Sequence, residues 1–596
     1  MKKLLTGNEA IALGALEAGI IYASAYPGTP STEILEILGE HPKSEIIAEW
    51  APNEKVALES AIGASMAGAR ALAAMKHVGV NVAADPLLSF AYSGTNGGLV
   101  LVGADDPGLH SSQNEQDNRY YAKLAKVPML EPADSQEAKD MMLAAMEISE
   151  KYQRPVFLRT TTRINHSKSV VTPGRKIEPP KKPYERQPRF NLVPAISKQL
   201  HVNLEAALIE LAAFSEETPL NFIEWHDKKV GVVAAGAAYQ YAREVFGDKA
   251  SFCKIGFSFP LPLKKIKAFA DQVETLYVIE ELEPFMEDQI KAAGIKCLGK
   301  EKLPICDELS PSIVAEALLG QKPDMVQVKA EVVPRPPTLC AGCPHRGFFY
   351  QLGKLKDVVL SSDIGCYGLG GAPPLNAKDS CICMGAASSI AHGAQRAFDF
   401  FGEKKRVIAN MGDSTFFHTG INGLMQTVYN NSPVITCILD NRTTGMTGHQ
   451  ENPGTGFTLQ GEVAPIMEIE PLVRAMGVKH IRVVNPLDQK DMKEALQWAL
   501  AITDAPSVII TRWPCVLKRL SEADKKEFGD YFHFCEVDTE ACVGCRTCIK
   551  TGCPALRFDK ASKKTRIELS QCVGCEICLQ VCPKDAIHAL KKERAL

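Results

Sequence analysis

The sequence predicts an α/β protein of several doubly wound parallel-sheet units, ending in a small, cysteine-dense α+β module. Three observations predict it. Short β-branched runs such as GGLVLVG, KVGVVAAG and PVITCILDN alternate with Gly/Ala-rich helical stretches such as AIGASMAGARALAAM, the pattern of strands buried between helices. Two proline-rich stretches, residues 172–194 and 332–337, break that alternation into three segments. Eight of the 19 cysteines fall between Cys542 and Cys582, so the tail folds separately.

At about 150 residues per domain, a chain of 596 residues has room for roughly four domains. The expected partition is 1–170, a linker at 171–194, then 195–330, 331–525 and 530–596. The opening MKKLLTGNEAIALGALEAGI reads as an amphipathic helix, because Asn8, Glu9 and Glu17 interrupt any signal-peptide core. No run reaches the roughly 18 apolar residues of a membrane span. The net charge of -3 predicts neither a nucleic-acid footprint nor a polybasic membrane anchor. A cytoplasmic protein is expected, in which 19 thiols stay reduced and serve metal binding or catalysis in preference to disulfides.

The tail reads Cys542-Val-Gly-Cys545-Arg-Thr-Cys548 with Cys553-Pro following, then Cys572-Val-Gly-Cys575-Glu-Ile-Cys578 with Cys582-Pro. Three closely spaced thiolates and a fourth Cys-Pro ligand that crosses to the other cluster are the two-cluster ferredoxin pattern. By that rule Cys542, Cys545, Cys548 and Cys582 hold one [4Fe-4S] cluster, and Cys572, Cys575, Cys578 and Cys553 hold the second. The first copy has four residues between Cys548 and Cys553 where the second has three before Cys582. Paired CxxC also suits tetrahedral zinc, but the duplication speaks for electron transfer.

In the third segment the strand-like VIAN leads into Gly412-Asp413-Ser414, and 26 residues later VITCILD leads into Asn441-Arg-Thr443-Thr-Gly445-Met-Thr-Gly448. Glycine lets the backbone approach a phosphate, Asp413 offers Mg²⁺ a hard anionic oxygen, Asn441 adds a neutral one, and the Gly445 turn presents N–H groups to a diphosphate. A lone Gly-Asp is an ordinary β-turn; the whole constellation is informative. No Walker A sequence and no GxGxxG after a strand is present. Cys340, Cys343, Cys366 and Cys515 make a further set, open to three readings: a third cluster, a zinc site or buried free thiols. Cys381 and Cys383 carry no assignable role. In the first segment Glu54 heads a small-residue helix, flanked by the decoys Glu49 and Glu59, and as a bare residue it suits a helix N-terminus. Thr29 sits in Tyr26-Pro-Gly-Thr29-Pro-Ser31-Thr32, also readable as a turn in which Ser31 or Thr32 caps the next helix. The polar stretch DDPGLHSSQNEQDNR (105–119) suits a ligand loop without an assignable role.

These motifs resemble the thiamine diphosphate-dependent 2-oxoacid:ferredoxin oxidoreductases. Gly-Asp followed by Asp-Asn resembles their thiamine motif, with Ser414 where many members have glycine. CAGCPHRG, DDPGLHSSQNEQDNR and LDNRTTGMTGHQ, with the domain order across essentially the whole chain, resemble the alpha subunits of the indolepyruvate ferredoxin oxidoreductase family. The resemblance implies a pyrimidine-binding-type domain, a transketolase C-terminal-like α/β domain, a diphosphate-binding-type domain and a two-cluster ferredoxin-like domain. It implies thiamine diphosphate held at Gly412, Asp413, Ser414, Asn441, Thr443 and Gly445, with Mg²⁺ on Asp413, Asn441 and the Thr443 carbonyl. It also implies Glu54 as the carboxyl group that favours the cofactor's imino tautomer, and Thr29 near the substrate carboxylate. The cysteines at 340, 343, 366 and 515 correspond to a third cluster beside the thiamine. The implied reaction converts an arylpyruvate and coenzyme A to an aryl-acetyl-coenzyme A and CO₂, with electrons passed to ferredoxin. A smaller beta subunit, in an αβ or α2β2 assembly, is the implied partner. Pyruvate or 2-oxoglutarate in place of the aryl substrate, a non-oxidative thiamine-dependent decarboxylase or ligase, and a non-catalytic electron-transfer subunit are the alternatives.

Overall fold

Parallel strands covered by helices on both sides must send alternate side chains into two different cores. The strand Ala71–Lys76 does so: Ala71, Ala73 and Met75 enter one apolar cluster, Leu72 and Ala74 another. Ile435, Cys437 and Leu439 likewise face away from Ile438 in the strand Ile435–Asp440. The structure, a computed structural model, describes residues 1–178, 182, 184, 186–322, 330, 332–333, 335–528 and 533–590. The described chain forms two compact units, residues 1–329 with 458–462, and residues 330–457 with 463–596.

The first unit holds a seven-stranded sheet in the order 257–259, 129–130, 156–161, 99–105, 71–76, 22–25 and 47–50, parallel except for the antiparallel edge Phe257–Phe259. That edge strand comes from the second α/β segment, whose own sheet runs 275–279, 230–235, 251–255 and 222–224. One apolar core spans both sheets, joining Leu99 and Leu101 to Val233 and Ile255. Residues 458–462 belong to this unit because the Gln460 amide donates to the carbonyls of His41 and Ile46 at 2.9 and 3.1 Å.

One local expectation is corrected. The opening stretch is a strand, Lys3–Thr6, and then a helix, Gly7–Glu17, buried nearly all round. A capping box starts that helix, with Glu9 N donating to Thr6 Oγ1 at 3.1 Å and Thr6 N to Glu9 Oε2 at 2.6 Å. Its polar residues face inward because they have partners: Asn8 Nδ2 donates to Pro30 O at 2.7 Å, and Glu17 pairs with Lys139 at 3.1 Å. The proline-rich stretch is anchored at its end, where Arg189 donates to Ser93 O and Thr95 O and Phe190 stacks on Phe90. Residues 179–181, 183 and 185 of that stretch, and Pro334 of the second one, lie outside the described residues.

The second unit holds a wholly parallel five-stranded sheet in the order 358–362, 406–412, 435–440, 507–512 and 480–484. The tail adds two antiparallel pairs, Cys535–Val537 with Ile587–Ala589 and Leu556–Asp559 with Lys564–Ile567. Among the described residues, no helix is long and apolar enough to cross a membrane.

Candidate functional site

In a parallel sheet the carboxyl ends of all strands open on one edge, where helix N-termini and loops leave room for ligands. Four neighbouring strands of the second unit end there in chemistry-bearing residues. Val358–Ser362 leads to Cys366, Arg406–Gly412 to Asp413, Ile435–Asp440 to Asn441, and Ser507–Arg512 to Cys515. Adjacency in the sheet therefore brings together residues up to 149 positions apart, as Cys366 and Cys515 are.

Asp413, Asn441 and Thr443 are all buried. The Asn441 side-chain oxygen faces only acceptors, Asp413 Oδ1 at 3.0 Å and the Thr443 carbonyl at 2.8 Å, an arrangement an amide flip would relieve. The Asn441 amide thus meets Asp413 Oδ1 and the Thr443 carbonyl at close range, and Mg²⁺ takes oxygen donors of these kinds. Among the described residues Asp413 makes no ion pair; it accepts from Thr443 N at 3.2 Å and Asn452 Nδ2 at 3.4 Å. Burial, and then the neighbouring Asp440 carboxylate, push Asp413 up to about 7. A divalent ion reverses that penalty, so these donors fit Mg²⁺. Gly412 is glycine because a Cβ there would lie 2.7 Å from the Tyr367 ring. Ser414 accepts from Thr444 Oγ1 at 2.9 Å, and a Cβ on Gly445 would sit 3.6 Å from Cys366 Sγ.

The cysteine set thus borders the oxygen set. Cys515 N donates to Asn441 O at 2.9 Å, and Cys340 and Cys515 each lie within electrostatic range of Cys343 and Cys366. Burial pushes the Cys343 thiol up to about 12 and Cys366 up to about 11, so a nearby metal charge is needed to make them thiolates at neutral pH. Among the described residues, no three His, Cys, Asp or Glu side chains gather as ligands of one metal ion.

In the first unit the same edge carries Thr29, Glu54, Lys76, Asp106 and Thr162 after successive strands. Of the three candidate glutamates only Glu54 is buried: Glu49 accepts from Tyr22 and Glu59 pairs with Lys55, both at the surface. Asn53 caps the helix Glu54–Met66 through its side chain, accepting from Val56 N at 2.9 Å, so Glu54 is not needed as the cap. Gly79 lies over it, where a Cβ would fall 2.6 Å from Glu54 Cγ. Thr29 is half-buried in a turn closed by Ser31, whose hydroxyl donates to Gly28 O at 3.0 Å and makes no helix cap. Lys76 escaped the sequence reading. Its Cβ lies 3.1 Å from where a Cβ on Gly28 would be, and Nζ donates to Ser111 O at 2.6 Å. Burial, opposed by Asp106, lowers Lys76 to about 8. Burial alone would raise Asp106, but hydrogen bonds from Ser112, Thr162 and Ser111 hold it below the usual carboxylate range. The stretch 105–119 therefore splits in two. Asp106, Ser111 and Ser112 line this edge, while Asp117 and Arg119 enter a buried ion network with Glu280.

Comparison with known proteins agrees with this geometry. Residues 13–208 match the pyruvate flavodoxin/ferredoxin oxidoreductase thiamine diphosphate-binding model, residues 363–511 the C-terminal TPP-binding domain of thiamine pyrophosphate enzymes, and residues 535–583 the 4Fe-4S dicluster domain. The chain is 42% identical to indolepyruvate oxidoreductase subunit IorA of Archaeoglobus fulgidus, over 99% of this chain and 98% of that protein. It is 40% identical to IorA of Pyrococcus horikoshii over 99% of the chain and 97% of the relative. IorA of Methanothermobacter thermautotrophicus is 38% identical, over 98% and 97%. The chain belongs to the IorA family.

In this IorA chain the tail thiols gather in two groups. Cys542, Cys545, Cys548 and Cys582 line one cleft, beside Thr565 and Lys584. Cys575 lies within electrostatic range of Cys553 and Cys572. A ninth thiol, Cys535, is buried within hydrogen-bonding range of Cys572 and Cys578. Its place outside any CxxC repeat hid it from the sequence reading. The extra residue before Cys553 is taken up at Gly552, whose φ of +70 favours glycine.

Proposed function

We propose that the chain oxidatively decarboxylates aryl 2-oxoacids, indolepyruvate among them, as the large subunit of an enzyme completed by a smaller beta subunit in the cytoplasm. One 2-oxoacid anion, coenzyme A and two oxidised ferredoxins give one aryl-acetyl-coenzyme A, CO₂, one proton and two reduced ferredoxins. The single observation that carries the reading is the convergence of the Asn441 amide, Asp413 Oδ1 and the Thr443 carbonyl beside the Cys340, Cys343, Cys366 and Cys515 thiols, in a chain of IorA ancestry. Segments 1–170, 195–330, 331–525 and 530–596 are the proposed pyrimidine-binding-type, linking, diphosphate-binding-type and ferredoxin-like domains.

Bound thiamine diphosphate supplies the electron sink that breaking a 2-oxoacid's carboxyl bond requires. Asp413, Asn441 and the Thr443 carbonyl hold its Mg²⁺, and Gly412, Ser414 and Gly445 leave room for the diphosphate. Glu54 holds a proton towards the pyrimidine nitrogen, a role its burial under Gly79 supports. Thr29 and the Lys76 ammonium orient the substrate carboxylate. Cys340, Cys343, Cys366 and Cys515 and the two tail sets would hold iron–sulfur clusters, which would supply one-electron acceptors.

The test is a substrate profile of the chain co-purified with its beta subunit under anaerobic conditions. Turnover of arylpyruvates that requires coenzyme A and an electron acceptor is the expected result. Preference for pyruvate or 2-oxoglutarate would move the substrate assignment, and CO₂ release without any acceptor would replace the oxidative reading with a decarboxylase.

A further inference from the structure

The helix His345–Leu352 begins two residues after Cys343 and carries Arg346, whose side chain is only 1% exposed. Nη1 donates to Thr551 O at 2.9 Å, and Nη2 donates to Cys340 O at 2.8 Å and to Leu339 O. Cys340 opens the third cysteine set, and Thr551 lies in the turn between Cys548 and Cys553 of the tail. One guanidinium therefore grips both cysteine loops. Its hydrogen-bond partners are three carbonyls and no carboxylate, and Nε finds no acceptor among the described residues. A buried cation facing only dipoles is costly unless negative charge lies nearby. The ionisable groups of the two loops within electrostatic range of it are cysteines, Cys343 on one side and Cys575 on the other.

The backbone around it is shaped to the same contact. A Cβ on Gly342 would fall 2.1 Å from Val573 Cγ2, so the Cys340–Cys343 loop packs directly on the Cys572–Cys575 loop. A Cβ on Gly552 would sit 3.2 Å from Arg346 Nη1, and the departure from the usual spacing before Cys553 ends at that glycine.

We propose that Arg346 is a positioning residue for electron transfer. It locks the third cysteine set against the Cys553, Cys572, Cys575 and Cys578 set, and its fixed charge favours the reduced state of the clusters held on either side of it. This rests on reading both sets as iron–sulfur ligands. Positive charge beside a cluster stabilises the added electron, so removing it lowers the cluster's reduction potential.

The experiment compares holoenzyme with Arg346→Met and Arg346→Lys, purified anaerobically, by iron content and by redox titration followed by electron paramagnetic resonance. Arg346→Met is expected to keep its iron and to lower the reduced-to-oxidised ratio of the clusters beside it at fixed potential about tenfold, which is about 59 mV for one electron. Arg346→Lys, which keeps the charge, is expected to stay within about twofold of wild type. Unchanged potentials in an iron-replete Arg346→Met, or an equal shift in both variants, overturns the proposal. If Arg346→Met loses iron, Arg346→Gln carries the same expectation. About twelve irons per wild-type chain, against about eight, tests the third cluster separately. With eight, the shift must still appear in the tail, because Arg346 lies within electrostatic range of Cys575 and donates to Thr551 O.

Discussion

Glu49, Glu54 and Glu59 are chemically identical, and burial alone separates them. Glu54→Gln keeps the shape and loses the exchangeable carboxyl proton. It is expected to retain thiamine diphosphate in equilibrium dialysis while decarboxylation slows by about 10²–10⁴-fold, the usual worth of a positioned acid–base group. CO₂ release at the wild-type rate would end that assignment. Asp413→Ala removes the one anionic oxygen of the convergent set, so magnesium-dependent retention of thiamine diphosphate should vanish. Retention at wild-type strength would take Asp413 out of the site. Lys76 is cationic below about 8 and neutral above it. The KM for the 2-oxoacid should therefore be flat below pH 8 and climb towards tenfold per pH unit above it. Lys76→Met should raise KM throughout and abolish the climb; a climb that persists in the variant dismisses Lys76.

At the scale of elements, the strand ends explain why so few side chains suffice. Each parallel strand delivers one or two residues to a shared edge, and glycines keep that edge open. Gly79 illustrates the point. It lies inside the helix His77–Val82, where alanine is intrinsically better by about 1 kcal/mol, yet its missing Cβ makes way for Glu54. Gly79→Ala should displace Glu54 and lower kcat by up to about 100-fold, the cost of a misplaced catalytic group. Unchanged kcat would show that the Glu54 carboxylate has slack. Ser31 teaches a related lesson: it holds the N-cap position, but its hydroxyl closes the Thr29 turn and leaves the helix uncapped by a side chain.

At the scale of the whole first unit, the two α/β segments are joined by buried charges. Arg119 pairs with Asp117 and Glu280 at 2.6 Å each, and Arg159 pairs with Asp105 at 2.8 Å and Glu131 at 2.7 Å. Removing one partner of such a network strands the others, typically at about 3–5 kcal/mol. Arg119→Met should thus destabilise the protein by that order in denaturant unfolding; a loss under about 1 kcal/mol would mean the network is not structural. Burial, opposed by Arg159, raises Glu281 to about 7. An acid whose folded value is raised stabilises fully below its unfolded value, near 4.3, and loses that contribution as pH rises to about 7. Stability should accordingly fall by at most about 1.4 kcal/mol per pH unit across that window, and Glu281→Gln should flatten the slope.

The sequence by itself determined whatever is local. Strand patterning gave the layered class, CxxC spacing marked the tail, and Gly-Asp with Asp-Asn marked the oxygen donors, because each signal is written within a few residues. Only the tertiary structure decided which groups meet. It buried Glu54 and left Glu49 and Glu59 exposed, placed Cys515 beside Asn441, buried Asn8 and Glu17 in a helix that reads as amphipathic, and set Arg346 between two cysteine loops more than 200 residues apart. Burial and adjacency belong to the packed sheet and have no spacing in the chain. A strand order that puts neighbours in space far apart in sequence is invisible until the sheet has formed.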